Sequence, residues 1–254
     1  MIIDKMFVQQ SPLKVKDWTV SYNSIACARG TIVEIFDEGA YAFKSPCKNP
    51  VIFDVGANIG LATLFFKGLY PEARIWCFEA DPQAYKMLQT NMVQNHIEDV
   101  HLLNLAVSDK CGEIDFFGQV SVDQPDARGN SIYRAWGEQR AINNHIKVMS
   151  DRLSNYITEP VDYLKLDVEG AEQAVLAELE RSGKLQWVRE LVMEVHVAEQ
   201  IAHVNDLSAI INILERNGFK LEVLEQPVHD RLPKEIQGWV ARLQPQLYRL
   251  RGVR

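Results

Sequence analysis

The chain has 254 residues, 47% hydrophobic and 24% charged, a profile that excludes global disorder and suits a folded globular protein. A formal charge of -7 excludes a nucleic-acid surface spread over the whole molecule, because neutralising phosphates takes clustered cations. Cys27, Cys47, Cys77 and Cys111 form no C-x-x-C pair, and no run of about 18 apolar residues occurs, so neither a zinc site nor a membrane span is expected.

Asp4 and Lys5 interrupt the first residues, which lack the apolar core and cleavage site of a signal peptide, so a cytoplasmic setting is expected. Residues 31–36 and 41–43 read as two β-runs joined by Asp37-Glu38-Gly39, within an N-terminal extension (1–49) packed on the edge of the main domain (50–254). From Val51 the pattern becomes regular. Residues 51–55 read as a strand, 58–69 as a helix and 74–79 as a strand; a helix from Pro82 to about Asn95 and a strand at 100–105 follow. An extra strand at 112–117 precedes a polar, irregular insertion (118–144), long enough to be a lid or binding loop. The rhythm resumes with a strand at 161–166, a helix at 171–181, a strand from 187 through Val195 and a helix at 206–217 stopped by Gly218. Strands at 219–224 and 246–250 close the chain. The stretch 231–254 carries six cations against Glu235 and reads as a terminal strand with solvated flanks, or as an anchor for an anionic group.

Alternating strands and helices imply an α/β fold: a mostly parallel sheet with helices on both faces and one of the last two strands reversed. Ligands in such sheets sit beyond the carboxyl ends of the strands. The first strand ends in Phe53-Asp54-Val55-Gly56-Ala57-Asn58-Ile59-Gly60. Gly56 allows a sharp turn close to a ligand, Gly60 allows close packing, and the amides at Asn58 and Ile59 suit a carboxylate. Asn58 and Leu61 stand where the dinucleotide fingerprint wants glycine, which disfavours a pyrophosphate. Asp54 suits an ammonium. Glu79, 23 residues after Gly56, ends the second strand where an acid accepts from both ribose hydroxyls. A nucleoside carrying an amino-acid tail, held without phosphates, is the ligand this pair describes.

The strings FDVGANIG (53–60), FEADP (78–82), LNLAVSD (103–109), VDYLKLDVEGAE (161–172) and LVMEVH (191–196) resemble the FkbM family of S-adenosylmethionine-dependent methyltransferases across roughly residues 31–226. The resemblance implies a class I methyltransferase (Rossmann-like) fold of seven strands with the last antiparallel. It implies methylation of a hydroxyl oxygen on a small-molecule acceptor, a sugar or natural product. It also implies that Asp54, Gly56, Asn58 and Gly60 hold the methionine part, Glu79 the ribose, and that Ala106, Val107 and Asp109 lie near the adenine.

Asp167 ends the fourth strand, and Glu194 and His196 share a face at the end of the fifth. Methyl transfer to oxygen needs the hydroxyl proton removed, which makes His196 a candidate general base with Asp167 and Glu194 beside it. The same three could instead ligate a divalent metal such as magnesium that acidifies the hydroxyl; the metal-free base is the favoured reading, with no metal expected. Glu169, Tyr133, Arg134 and Trp136 are candidate substrate contacts, Tyr133 and Trp136 covering an apolar or sugar face and Arg134 pairing an acid. No nucleic-acid or membrane partner is expected, and the chain is read as a monomer or homodimer. A binding module without turnover is the competing reading, and a nicotinamide dehydrogenase is disfavoured by Asn58 and Leu61.

Overall fold

The structure, a computed structural model, describes residues 11–22, 24–119, 128–139, 141, 143–226 and 246–254. A short hairpin, β1 (Leu13–Val15) and β2 (Trp18–Val20), is followed by helix α1 (Ile25–Ile32), which widens into a π-type turn at Val33–Asp37. Then come β3 (Val51–Val55), α2 (Leu61–Leu69), β4 (Arg74–Phe78), α3 (Pro82–Gln94) and β5 (Val100–Leu103). A side sheet is built from β6 (Ala106–Val107), β7 (Gly112–Phe117) and, past the short helix α4 (Arg134–Gly137), β8 (His145–Asp151). The remaining elements are β9 (Val161–Leu166), α5 (Glu172–Arg181), β10 (Val188–Val197), α6 (Leu207–Arg216), β11 (Lys220–Gln226) and β12 (Gln246–Val253).

The main sheet has seven strands in the order β11-β12-β10-β9-β3-β4-β5. Its pairings are parallel except those of β12, which runs antiparallel to both neighbours. β3 sits at its centre and is buried at every position, as a parallel strand covered on both faces must be. One face packs α5 and α6 through Val175, Leu176, Ile210 and Leu214; the other packs α2 and α3 through Leu64, Phe66, Leu88 and Met92. The helix starts are locally encoded. Asp81 accepts from the amides of Gln83 and Ala84 with Pro82 at the first turn, and Asp206 accepts from that of Ala209.

Three differences from the sequence reading have physical causes. Residues 31–36 are helical and 41–43 have no regular structure. Ser24 caps the preceding turn, and burial of Ile35 and Phe36 against Phe65 overrides the β-preference of Thr31, Ile32 and Val33. The hairpin of the extension lies at 13–20 instead, and Val15, Val20, Tyr41 and Phe43 join the α2-side core. Strand β8, unread in the sequence, alternates exposed and buried positions only over its second half. α2 begins at Leu61 because Asn58 and Gly60 adopt positive φ, 49° and 90°. Of the basic stretch, Arg231, Lys234 and Arg242 lie outside the described residues. In the described part, Arg249 pairs with Glu34, Arg251 with Glu190, and Arg254 donates to the Gln186 carbonyl, so these cations serve internal contacts.

Candidate active site

The loop after β3 lies against the end of β9. Gly56 has φ +81°, and a Cβ there would stand 1.8 Å from the Asp167 carbonyl oxygen, so no other residue fits. Its amide and that of Ala57 both donate to the Phe78 carbonyl at 2.9 Å, tying the loop to β4. At Gly60 a Cβ would meet Leu88 Cδ1 at 2.6 Å, which allows α3 its close approach. Asn58 occupies the left-handed region, which its short polar side chain tolerates.

Asp54 is fully buried. Its Oδ2 accepts from Thr63 Oγ1 at 2.7 Å, and its Oδ1 faces Lys165 Nζ at 3.3 Å. Lys165, in the interior of β9, also donates to the Gly56 carbonyl at 2.7 Å and approaches Asp167 Oδ2 at 3.6 Å. The cation required to be partnered when buried thus bridges the glycine loop and the end of β9. Asp54 therefore reaches the loop through Lys165, an indirect position that its sequence pattern did not disclose.

Glu79 holds the Asn58 amide on Oε2 at 2.7 Å and the Asp81 amide on Oε1 at 2.8 Å. Each oxygen retains a second lone pair for a ligand hydroxyl. Burial, with Asp81 adding repulsion, pushes Glu79 up to about 8 against the opposing pull of those two amides. Ala106 and Val107 are buried in β6, Ala106 packing with Ala80 in the loop just beyond Glu79; Asp109 is half-buried and its carbonyl accepts from Arg152.

At the ends of β9 and β10, Asp167, Glu169 and His196 converge. His196 Nε2 lies 3.2 Å from Glu169 Oε2 and 3.9 Å from Asp167 Oδ1, and Nδ1 lies 2.9 Å from Oε1 of the fully buried Glu172. Asn205 Nδ2 donates to Glu172 Oε2 at 2.6 Å and to the His196 carbonyl at 2.8 Å. Burial alone would push His196 down; Glu169, Glu172 and Asp167 outweigh it and hold the ring well above its usual value. Asp167, desolvated and repelled by Glu194 despite the pull of Lys165, is pushed up to about 7.

Glu194 is set apart from this group. Its Oε1 accepts from Tyr41 Oη at 3.1 Å and lies 3.6 Å from Arg249, whose guanidinium also pairs with Glu34. Burial and repulsion from Glu194 push Glu34 up to about 8, while His196, Arg249 and Lys165 overcome burial to hold Glu194 low. Among the described residues the group able to close around a metal ion is Asp167, Glu169 and His196, not Asp167, Glu194 and His196. Alternation along β10 gives the direction of two side chains but not the strand-to-helix turn that delivers Glu169.

The insertion supplies that turn with its partners. Glu169 takes φ +52°; its Oε1 accepts from the Gly129 amide at 2.8 Å, its Oε2 from Trp136 Nε1 at 3.1 Å, and its carbonyl from Ser131 Oγ at 2.7 Å. Trp136 is fully buried, edge-on to His196, so it supports Glu169 and cannot cover a substrate. Arg134 is 61% exposed and paired with Glu138 at 3.2 Å. The expected substrate role of Trp136 is therefore withdrawn. Tyr133 is half-buried near Asp109, Glu172 and the space over Gly170, and stays with the site. The links of Glu34 to Arg249, Tyr41 to Glu194 and Glu172 to His196 were missed in the sequence because each spans 24 or more residues.

A model of the methyltransferase FkbM domain matches residues 54–221. The methyltransferase sdnD of Sordaria araneosa is 30% identical over 218 residues, spanning 74% of this chain and 83% of that protein. The 31-O-demethyl-FK506 methyltransferase FkbM of Streptomyces tacrolimicus is 27% identical over 239 residues, spanning 83% and 88%. A crystal structure of methyltransferase FkbM from Methylobacillus flagellatus shares the fold, with a TM-score of 0.50 at 15% identity over 84% of this chain and 46% of that one. Among the described residues no helix is long and apolar enough to cross a membrane.

Proposed function

Since the chain belongs to the FkbM family of S-adenosylmethionine-dependent methyltransferases, we propose that it methylates a hydroxyl oxygen of a small molecule, a sugar or natural product. The observation that carries this reading is the meeting of Asp167, Glu169 and His196 at the strand ends beside the Gly56 loop. An alcohol is a poor nucleophile until its proton leaves, and a carboxylate of this cluster is the group we take to receive it. The relative named as a 31-O-demethyl-FK506 methyltransferase supports transfer to oxygen.

In this reading Gly56, Asn58 and Gly60 shape the pocket for the methionine part, with Asp54 acting through Lys165. Glu79 takes the ribose hydroxyls, and Ala106, Val107 and Asp109 flank the adenine. Residues 50–254 form the methyltransferase domain, 1–49 an extension on it, and 118–144 an acceptor-side insertion that contributes Tyr133. Both nitrogens of His196 already face carboxylates, so the proton goes to Asp167, 24% exposed, and His196 with Glu172 holds the geometry. As the acceptor oxygen bonds to the methyl carbon, the carbon–sulfur bond breaks and its electron pair stays on sulfur. S-adenosylhomocysteine leaves, and the proton on Asp167 passes to solvent.

Incubation with donor carrying a ¹³C methyl group and a panel of glycosides and matched amines tests the reading. A ¹³C methyl ether formed in step with S-adenosylhomocysteine is expected; label found on nitrogen alone contradicts it.

Cofactor affinity should also follow the charge of Glu79. Ribose hydroxyls donate best to the ionised carboxylate, whose fraction grows as pH rises through about 8. S-adenosylhomocysteine should therefore bind roughly tenfold tighter at pH 9 than at pH 6.5. In Glu79→Gln the profile should flatten at the weak end. An equal slope in both proteins, read by calorimetry, counts against the ribose assignment.

A further inference from the structure

We propose that Asp167 Oδ1, Glu169 Oε2 and His196 Nε2 bind one divalent cation of the first transition row. The sequence pattern favours a metal-free site; three observations of the fold point the other way. The first is spacing. Nε2 stands 3.2 Å from Oε2 and 3.9 Å from Oδ1, and one ligand atom from each of the three residues lies within 4.8 Å of the other two. Ligands bonded at about 2.1 Å sit roughly 3 Å apart when adjacent and about 4 Å apart when opposed, so a small inward motion closes the shell.

The second observation is the orientation of the imidazole. Glu172 meets Nδ1 at 2.9 Å, and the Asn205 amide and the Gly170 amide fix that carboxylate in turn. A ring that donates from Nδ1 to a buried carboxylate presents its lone pair at Nε2, here toward Asp167 and Glu169. That is the carboxylate–histidine–metal arrangement, in which the outer carboxylate sets tautomer and ring orientation.

The third is charge and strain. Asp167, Glu169 and Glu172 crowd one imidazole, and a 2+ ion balances what a single ring proton does not. Glu169 takes φ +52° with its backbone carbonyl bonded by the Ser131 hydroxyl, and the Gly129 amide and the Trp136 indole fix its carboxylate in the cluster. One imidazole with two carboxylates suits Mn²⁺ or Zn²⁺ better than Mg²⁺ or Ca²⁺.

This inference deepens the acceptor-side reading of Asp167 and His196 and rests on it for its consequence. A cation there takes the acceptor oxygen in an open position and lowers the hydroxyl's pKa; the proton leaves to Asp167 Oδ2, the oxygen facing Lys165.

Binding is measured without an acceptor, by titrating Mn²⁺ into the chelator-treated full chain and following free Mn²⁺ by electron paramagnetic resonance. One ion per chain is expected. Glu169→Gln and His196→Asn should abolish stoichiometric binding, Glu172→Gln should weaken it about 10- to 100-fold, and the exposed Glu199→Gln should leave it intact. Calorimetry with S-adenosylhomocysteine in chelator reports the fold and cofactor pocket of each variant. Wild type that binds S-adenosylhomocysteine but neither Mn²⁺ nor Zn²⁺ overturns the cation, as does binding undiminished in both ligand variants. Wild type that takes Mn²⁺ but neither the methyl donor nor its product keeps the cation and overturns the proposed function.

Discussion

Turnover of Asp167→Asn should fall by about 10²- to 10⁴-fold, the range expected when a proton acceptor is removed from the transition state. Asparagine keeps the shape and leaves the backbone untouched. The Asp167 amide still donates to the Val55 carbonyl at 3.0 Å, and Lys165 keeps Asp54 at 3.3 Å and the Gly56 carbonyl at 2.7 Å. What it loses is the charge that accepts the proton. Affinity for S-adenosylhomocysteine should stay within about threefold, because the proposed cofactor contacts belong to the β3 and β4 ends and to β6 with the turn after it. Single-turnover methyl transfer beside calorimetry separates the two quantities. A variant that turns over at the wild-type rate moves the proton acceptor elsewhere, and a variant that loses the cofactor makes Asp167 part of its pocket.

Gly56→Ala should be severely damaging, its Cβ making a closer contact than at the ten other described glycines compared with it. The added carbon would lie 1.8 Å from the Asp167 carbonyl oxygen, in a backbone conformation that L residues rarely adopt. Neither partner can yield. Gly56 is tied to the Phe78 carbonyl through its amide and to Lys165 through its own carbonyl, while the Asp167 amide is bonded to β3. The expected cost is at least about 4 kcal/mol, with cofactor affinity lost by more than about 100-fold in whatever protein still folds. Gly112→Ala is the control: φ is +105° but nothing lies within 4 Å, so it meets backbone strain of about 1–3 kcal/mol without collision. Denaturant unfolding of the two variants should separate by more than the strain alone; equal midpoints would contradict the close approach.

The sheet was readable because its signals are local. Residues 51–55 are apolar throughout, Asp81-Pro82 and Asp206 cap the helices they precede, and the alternation of short strands with helices leaves one topology family. The bends at Gly56 and Gly60 and the strand-end position of Glu79 were readable for the same reason, since turn geometry and strand ends are written in adjacent residues. What failed was long-range. Thr31, Ile32 and Val33 carry strand propensity, yet burial of Ile35 and Phe36 decides for helix. Trp136 looks like a substrate platform as an aromatic in a polar loop, but its indole is claimed by Glu169, 33 residues on. Glu194 and His196 share a strand, but Tyr41 and Arg249 hold the first while Glu172 holds the second. No spacing rule reports partners delivered from an extension, a distant helix start and the last strand.

A crystal structure with bound S-adenosylhomocysteine tests the placement of the chemistry most directly. It should show both ribose hydroxyls within hydrogen-bond distance of Glu79, the amino-acid tail in the bend at Gly56, and the sulfur facing Asp167. A ribose held away from Glu79, or a sulfur turned from the ends of β9 and β10, would contradict it.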